Sequence, residues 1–321
     1  MSEVASSSKT TAKRPRARRA PRPDPAARRV LLTGATGFVG RNVLRELLAK
    51  GFEIVAVARS RAEIPTPPGV IRVAADLNGE GWQRWSEGCS AAIHLVGVIR
   101  EVPAKGVTFD GAHRIATEKV VQACRQFGIP RLVHMSALGA RPQAATAYHR
   151  TKAAAEEVVR GSGLVWTIFR PSVIFGVGDG FTTALVRALR RAPVFPVFGD
   201  GSYRLQPIAV EEVARAMVAS LDEPRSEAQV IELGGPEVLT YNDVLRRIGT
   251  SLGRRPMMLH LPLGLSRLLV SLAEKLPSSP ITLDQLTMLL EGSTCDTRTS
   301  NDLFGIPRAR FQGVAGAAAQ P

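Results

Sequence analysis

Short apolar runs alternate with amphipathic stretches along most of the chain. From Val30 onward, "RVLLTG" is a continuous apolar run of the kind that forms a fully buried strand. Residues 38–50 then put Val39, Val43, Leu44, Leu47 and Leu48 on one helical stripe that Gly51 closes. "EIVAVAR", "VIRVAAD" and "AAIHLVG" read as three further strands. A helix over about 112–127 precedes a fifth strand, "RLVHMSA". A helix carrying Tyr148 and Lys152 precedes a sixth, "LVWTIFR", and "QVIELGG" near 229–235 is a seventh. Strands that lack polar alternation and are separated by helices have both faces covered, which predicts an α/β fold with a doubly wound parallel sheet. Residues 176–204 and 237–310 are richer in Pro and Leu and break the rhythm, so they are assigned to a smaller C-terminal substrate lobe. The sheet domain then takes 30–175 and 205–236, with tails over 1–29 and 311–321.

Composition narrows this picture. A chain of 321 residues with 45% hydrophobic and 22% charged residues can bury a full core. No run approaches the length of a membrane span and the N-terminus lacks the apolar core of a secretory signal, so a cytoplasmic location is expected. Cys89, Cys124 and Cys295 are odd in number and far apart, which argues for reduced, mostly buried thiols. The five histidines show no metal-binding spacing, so no metal is expected. The net charge of +14 divides unevenly. Residues 1–29 hold nine Lys or Arg against Glu3 and Asp24, which supplies +7 of it. A tail this polar cannot offset the entropy of ordering and reads as a solubilising extension, with contact to anionic lipid or nucleic acid and an organelle-targeting peptide as the alternatives; no specific nucleic acid is expected as a partner.

Candidate chemistry begins at "TGATGFVG", Thr33 to Gly40. Gly34, Gly37 and Gly40 are three apart, directly after a strand and at the start of a helix. That arrangement permits a tight turn, a close backbone approach to a pyrophosphate at the helix N-terminus, and close helix-strand packing. A dinucleotide site of Rossmann type is predicted, with Gly34, Thr36, Gly37, Phe38, Val39 and Gly40 in the turn. The end of the second strand reads "VARSRAE": Arg59 and Arg61 precede the first acid there, Glu63, so a 2′-phosphate is favoured and NADP(H) is expected over NAD(H). Asp76 and Leu77 after the third strand, and Leu95, Val96 and Gly97 after the fourth, are expected on the adenosine side.

"TAYHRTKAAAE", residues 146–156, puts Tyr148 and Lys152 four apart on one helix face, where both can reach a common ligand. With the glycine turn and with Ser136 ending the fifth strand, the chain resembles the extended and atypical branch of the short-chain dehydrogenase/reductase superfamily over about residues 30–310. The resemblance implies a catalytic set of Ser136, Tyr148 and Lys152. It also implies a nicotinamide-ribose contact in "RPSVIFG", through Pro171 and Val173. Segments such as "IHLVGVIRE", "HMSALGA" and "WTIFRPSVIFG" look like bacterial relatives of the nucleotide-binding accessory subunit of respiratory complex I, which implies nucleotide binding without necessarily turnover.

The expected chemistry is hydride transfer at a hydroxyl or carbonyl carbon of an unknown small molecule. Lys152 would stabilise the Tyr148 phenolate and hold ribose, and Ser136 would hydrogen-bond the substrate oxygen. The alternative is that Tyr148 only fills a helix-sheet contact, in a nucleotide-binding accessory or assembly protein. His94-Leu95-Val96-Gly97 and Thr151 depart from the enzyme pattern without removing a reacting group. In the small lobe, Arg204 is a candidate for a substrate anion. The leucine stripe of "LPLGLSRLLVSLAEKLP", 261–277, is expected to pack in the core, with a place on a membrane surface or the uptake of an apolar substrate as its alternatives; for the whole protein, association with a respiratory complex or peripherally at the inner face of a membrane is the further option.

Overall fold

The computed structural model describes residues 28–59, 67–192, 194–275, 279 and 281–313. Arg61 and Glu63, most of the basic tail and the last residues of the chain lie outside them. In chain order the first half runs β1 (Arg29–Thr33), α1 (Phe38–Ala49), β2 (Glu53–Ala58), β3 (Val70–Ala74) and β4 (Ala91–His94). A π-helical turn over Gly111–Ile115 then leads into α2 (Ala116–Gln126), followed by β5 (Arg131–Met135), α3 (Ala147–Arg160) and β6 (Val165–Pro171). The second half runs β7 (Ile174–Phe175), α4 (Gly180–Arg191), β8 (Val194–Phe198), β9 (Arg204–Leu205), β10 (Ile208–Ala209), α5 (Val210–Ala219), β11 (Gln229–Leu233) and β12 (Leu239–Thr240). It closes with α6 (Tyr241–Ser251), β13 (Met257–Leu261), α7 (Leu263–Ala273), α8 (Leu283–Glu291) and α9 (Arg298–Phe304).

The seven strands read from the sequence form one sheet in the order β11-β6-β5-β4-β1-β2-β3. All of its pairings are parallel. The chain winds outward from β1 through β2 to β3, then returns to lay β4 on the other side of β1. That reversal opens a crevice at the C-terminal ends of β1 and β4. The strands are mainly apolar because both faces are covered, with Thr33, His94, Arg131, His134 and Thr167 the buried polar exceptions. On one face Val39, Val43 and Leu47 of α1 pack with Val213 and Met217 of α5, and on the other Val120 and Cys124 of α2 pack with Val159 of α3.

The smaller lobe has a third apolar cluster, in which Leu185 and Leu189 of α4, Phe195 and Val197 of β8, and Leu245 and Ile248 of α6 meet. Its boundaries are not purely sequential. Ile306 is fully buried in the sheet-side core, with Leu303 and Phe304 packed against it, so the segment around α9 returns from the lobe to the sheet. Cys89 and Cys124 are buried, Cys295 is half-buried, and all three are unpaired.

One expectation is overturned. The leucines of α7 do not pack in a core: Leu265, Leu268, Leu269 and Leu272 are 44–56% exposed. The buried side of the helix is Ser266 and Val270, small side chains that let α7 lie close to its neighbours while the leucine side faces solvent.

The glycine turn is the tightest constraint on the crevice. Gly34 has φ +81°, and a Cβ on Gly40 would fall 2.0 Å from the Gly34 carbonyl oxygen. Gly40→Ala must therefore push α1 away from β1, at a cost of about 1–3 kcal/mol or more. Urea unfolding is expected to show that loss, and dinucleotide titration a parallel loss of affinity.

Candidate functional site

The first turn of α1 fits a pyrophosphate on two counts. Gly37 is its N-cap and offers no side-chain acceptor to the leading amides, and no acidic residue occupies the first turn, so the positive end of the helix is left for an outside anion. Gly37 is exposed, Thr36 and Phe38 are half-buried, and Val39 and Gly40 are buried against the strand. The turn also touches the next strand of the crevice, since a Cβ on Gly34 would lie 3.1 Å from the Leu95 carbonyl carbon and from the Val96 amide nitrogen. Leu95 is buried, Val96 half-buried and Gly97 exposed at the open end.

On the far side of Gly97 stands Lys152. A Cβ on Gly97 would be 3.0 Å from its Nζ, and that ammonium donates to the Met135 carbonyl at 2.9 Å. Lys152 is 2% exposed, and burial pulls its pKa from 10.5 down to about 8, with Glu156 opposing the shift. Tyr148, one turn earlier, is packed edge-on against the rings of Phe109, His113 and His149, with centroids 5.9, 5.3 and 5.3 Å away. Burial alone pushes its phenol up to about 12. Desolvation favours the neutral phenol, and one of the three Lys152 ammonium protons goes to the Met135 carbonyl.

Ser136 follows β5, its amide donating to the Phe169 carbonyl at 2.7 Å, and its hydroxyl donates to Glu156 Oε1 at 2.5 Å. Glu156, which sequence reasoning passed over, is the hub of the site. Its side chain is fully buried, and it also receives Nε and Nη2 of Arg170, at 2.8 and 2.7 Å, and Nη2 of Arg160 at 2.7 Å. The signal was present in its spacing, since Tyr148, Lys152 and Glu156 lie four apart along one helix face. Arg170 opens the "RPSVIFG" segment, so Glu156 ties α3, the end of β5 and the end of β6 together. Pro171 is buried and its carbonyl accepts from the Leu138 amide. Val173 is half-buried and its carbonyl accepts from Ile208. A Cβ on Gly176 would lie 3.4 Å from Phe38 Cζ, which brings that segment back to the glycine turn.

A cluster of neutral histidines lies beneath. His94 Nδ1 meets Thr33 Oγ1 at 2.6 Å and its Nε2 meets Thr117 Oγ1 at 3.1 Å, and the ring stacks on His134. His113, in the π-helical turn, bridges Thr151 Oγ1 at 2.8 Å and the backbone of Val98. Burial holds His94 down at about 3 and His113 at about 2, and the Lys152 charge adds to both shifts. His94 and Thr151, the two departures noted in the sequence, are thus framework for the strand ends.

The adenosine side is more open. Arg59 is exposed just past β2, while Arg61 lies outside the described residues. Asp76 is exposed and its Oδ1 accepts from the Asn78 amide at 3.0 Å in a local turn, and Leu77 is buried beside it. Arg204 is exposed on β9, apart from the residues above. On the lobe side, α8 lies against the start of α3: Asp284 accepts from the Ala147 amide at 3.2 Å, Glu291 pairs with Arg141 at 3.0 Å, and Gln285 reaches the Ile99 carbonyl at 3.3 Å. A separate 620 Å³ cavity in the small lobe, bounded by Asp200, Tyr203, His260 and Leu290, contains none of the crevice residues.

The chain is similar in sequence and fold to known proteins. The chain is 28% identical over 291 residues to the alpha subcomplex subunit 9 of mitochondrial NADH dehydrogenase [ubiquinone] from Arabidopsis thaliana, covering 84% of this chain and 70% of that protein. It is 30% identical over 238 residues to the ceramide reductase of Caulobacter vibrioides, 73% of each. Among solved structures, MoeE5 in complex with UDP-glucuronic acid and NAD shares the fold with a TM-score of 0.70 at 23% identity, over 88% of this chain and 95% of that one. The family model for the NAD dependent epimerase/dehydratase family matches residues 30–234, from β1 through the glycine turn and Ser136-Tyr148-Lys152 to the end of β11. The chain belongs to the NAD-dependent epimerase/dehydratase family.

Proposed function

We propose that the chain is an NAD(P)(H)-dependent oxidoreductase or epimerase acting on a hydroxyl or carbonyl compound through Ser136, Tyr148 and Lys152. The observation that carries this reading is the line of close approaches from Gly34 through Leu95, Val96 and Gly97 to Lys152, which brings the glycine turn and a buried ammonium to one crevice. A bound nicotinamide dinucleotide supplies hydride exchange with the substrate carbon, and the chain supplies the rest. Lys152 holds ribose hydroxyls. Tyr148 keeps its proton well above neutral pH, so it serves first as an acid that protonates an oxygen as a carbonyl is reduced. Ser136 has its proton directed to Glu156, so its lone pairs accept from a substrate hydroxyl, and it donates to a carbonyl oxygen only by giving up that bond.

NADP(H) is the preferred cofactor in this proposal, supported by the exposed Arg59 at the end of β2 and by the lack of an acid there. A second reading, a nucleotide-binding accessory or assembly protein of respiratory complex I type, is favoured by the likeness to the Arabidopsis subunit and by the Ser136 hydroxyl being engaged by Glu156 within the protein.

Calorimetric titration is expected to give tighter binding of NADPH than of NADH, with Arg59→Glu narrowing the difference by roughly tenfold. Equal affinities in the wild type would remove the 2′-phosphate assignment. In a screen of carbonyl compounds, Tyr148→Phe should cut turnover by roughly 10²–10⁴ while leaving dinucleotide affinity almost intact. A variant that keeps its full rate rules out the tyrosine as the acid. Should no compound turn over while Lys152→Ala still loses the dinucleotide, the accessory reading is the better one.

Lys152 also predicts a pH dependence of stability. Its folded pKa of about 8 is below the ordinary 10.5, so burying the ammonium costs stability in full below about 8. Between those two values the folded protein sheds the proton first, and the cost fades as pH rises. Lys152→Met is therefore expected to raise the melting temperature at neutral pH, with a gain that shrinks through that window. Thermal melts across the range check the sign.

A further inference from the structure

The four central leucines of α7 sit at i, i+3, i+4 and i+7, the spacing of a core-facing stripe, yet they face solvent. The apolar surface continues along the chain. Only Pro262 separates α7 from β13, where Met257 and Leu259 are 66% and 54% exposed. In the parallel pairing with β8 these two stand beside Val194 and Pro196, both exposed, while Phe195 and Val197 face inward. A two-stranded sheet with apolar side chains on both faces, next to a helix with its leucines outward, is more exposed apolar surface than scattered surface residues explain.

We propose that α7 and the outer face of the β8–β13 pair dock on an anionic lipid bilayer, the leucines entering the headgroup-acyl boundary and Arg254, Arg255 and Lys275 meeting lipid phosphates. Charge selects this occupant. Between residues 252 and 275 these three and Arg267, on the other side of α7, stand against one acid, Glu274. Side-chain type points the same way. The exposed helix face is aliphatic, whereas the buried centre of a protein-protein contact is enriched in aromatic residues. At eleven residues α7 is about 16 Å long, enough to lie in the boundary and too short to cross it. No helix among the described residues is long and apolar enough to span a membrane. This surface is independent of the proposed chemistry, and its test reads binding alone.

The full chain is mixed with vesicles of phosphatidylcholine alone, or with roughly 30% phosphatidylglycerol, and sedimented with them. At about 0.5 M NaCl the Debye length falls to about 4 Å, which suppresses attraction through the basic N-terminal residues and leaves the apolar component. The wild type is expected to prefer the anionic vesicles and to keep part of its binding at high salt. Leu268→Ser with Leu272→Ser, two exposed positions whose replacement leaves the core intact, should lower the salt-resistant partition about tenfold or more. As an independent reading, the emission of Leu268→Trp should shift to shorter wavelength when anionic vesicles are added. Any of three results overturns the proposal: no binding to anionic vesicles, equal binding by wild type and double variant, or an indole emission that does not move. Sedimentation velocity showing a dimer that the double variant dissociates would also overturn it, because a second copy would then cover the leucines.

Discussion

A carboxylate without access to solvent sets the terms at the strand ends. Glu156 is buried on α3, and an unpaired charge there would be prohibitive, so it must be met by donors from whatever surrounds it. Those donors come from three places: Arg160 on its own helix, Arg170 at the end of β6, and the Ser136 hydroxyl past β5. Satisfying one charge therefore fixes the helix that carries Tyr148 and Lys152 against the segments that carry Ser136 and Pro171. The geometry of the crevice follows from that requirement as much as from the sheet beneath it.

The same dryness governs the protons. Lys152 loses affinity for its proton and Tyr148 gains it, both because burial disfavours charge. The histidines below stay neutral for the same reason, so their rings hold Thr33, Thr117 and Thr151 by hydrogen bonds without adding charge to the site. A crevice of this kind contains one buried ammonium and one phenol that holds its proton, near a helix whose first turn has no side-chain cap and no acid. Relatives by sequence include a reductase and a respiratory-complex subunit.

The smaller lobe does two jobs with its helices. α8 packs against the start of α3 through Asp284, and Glu291 pairs with Arg141 just before that helix. Next to it, α7 keeps small residues inward and leucines outward. Close packing of α7 on its neighbours needs only the Ser266–Val270 side, which leaves the larger side chains available to a surface beyond the protein.

The sheet and its glycine turn were legible in the sequence because they depend on local signals: unbroken apolar runs for strands covered on both faces, and glycines where a Cβ would collide with backbone. Ser136, Tyr148 and Lys152 were legible as a motif, and their approach to the glycine turn follows from the parallel winding. Other features depended on contacts between residues far apart in the chain. The partner of Ser136 is twenty residues away, Arg170 meets Glu156 across two elements, and Asp284 reaches α3 from the other lobe. The proton affinities of Tyr148 and Lys152 depended on burial, which no spacing reveals. The leucine stripe of α7 shows the limit most clearly. Periodicity states that one side of a helix is apolar, and only the packing of its neighbours decides which side is turned inward.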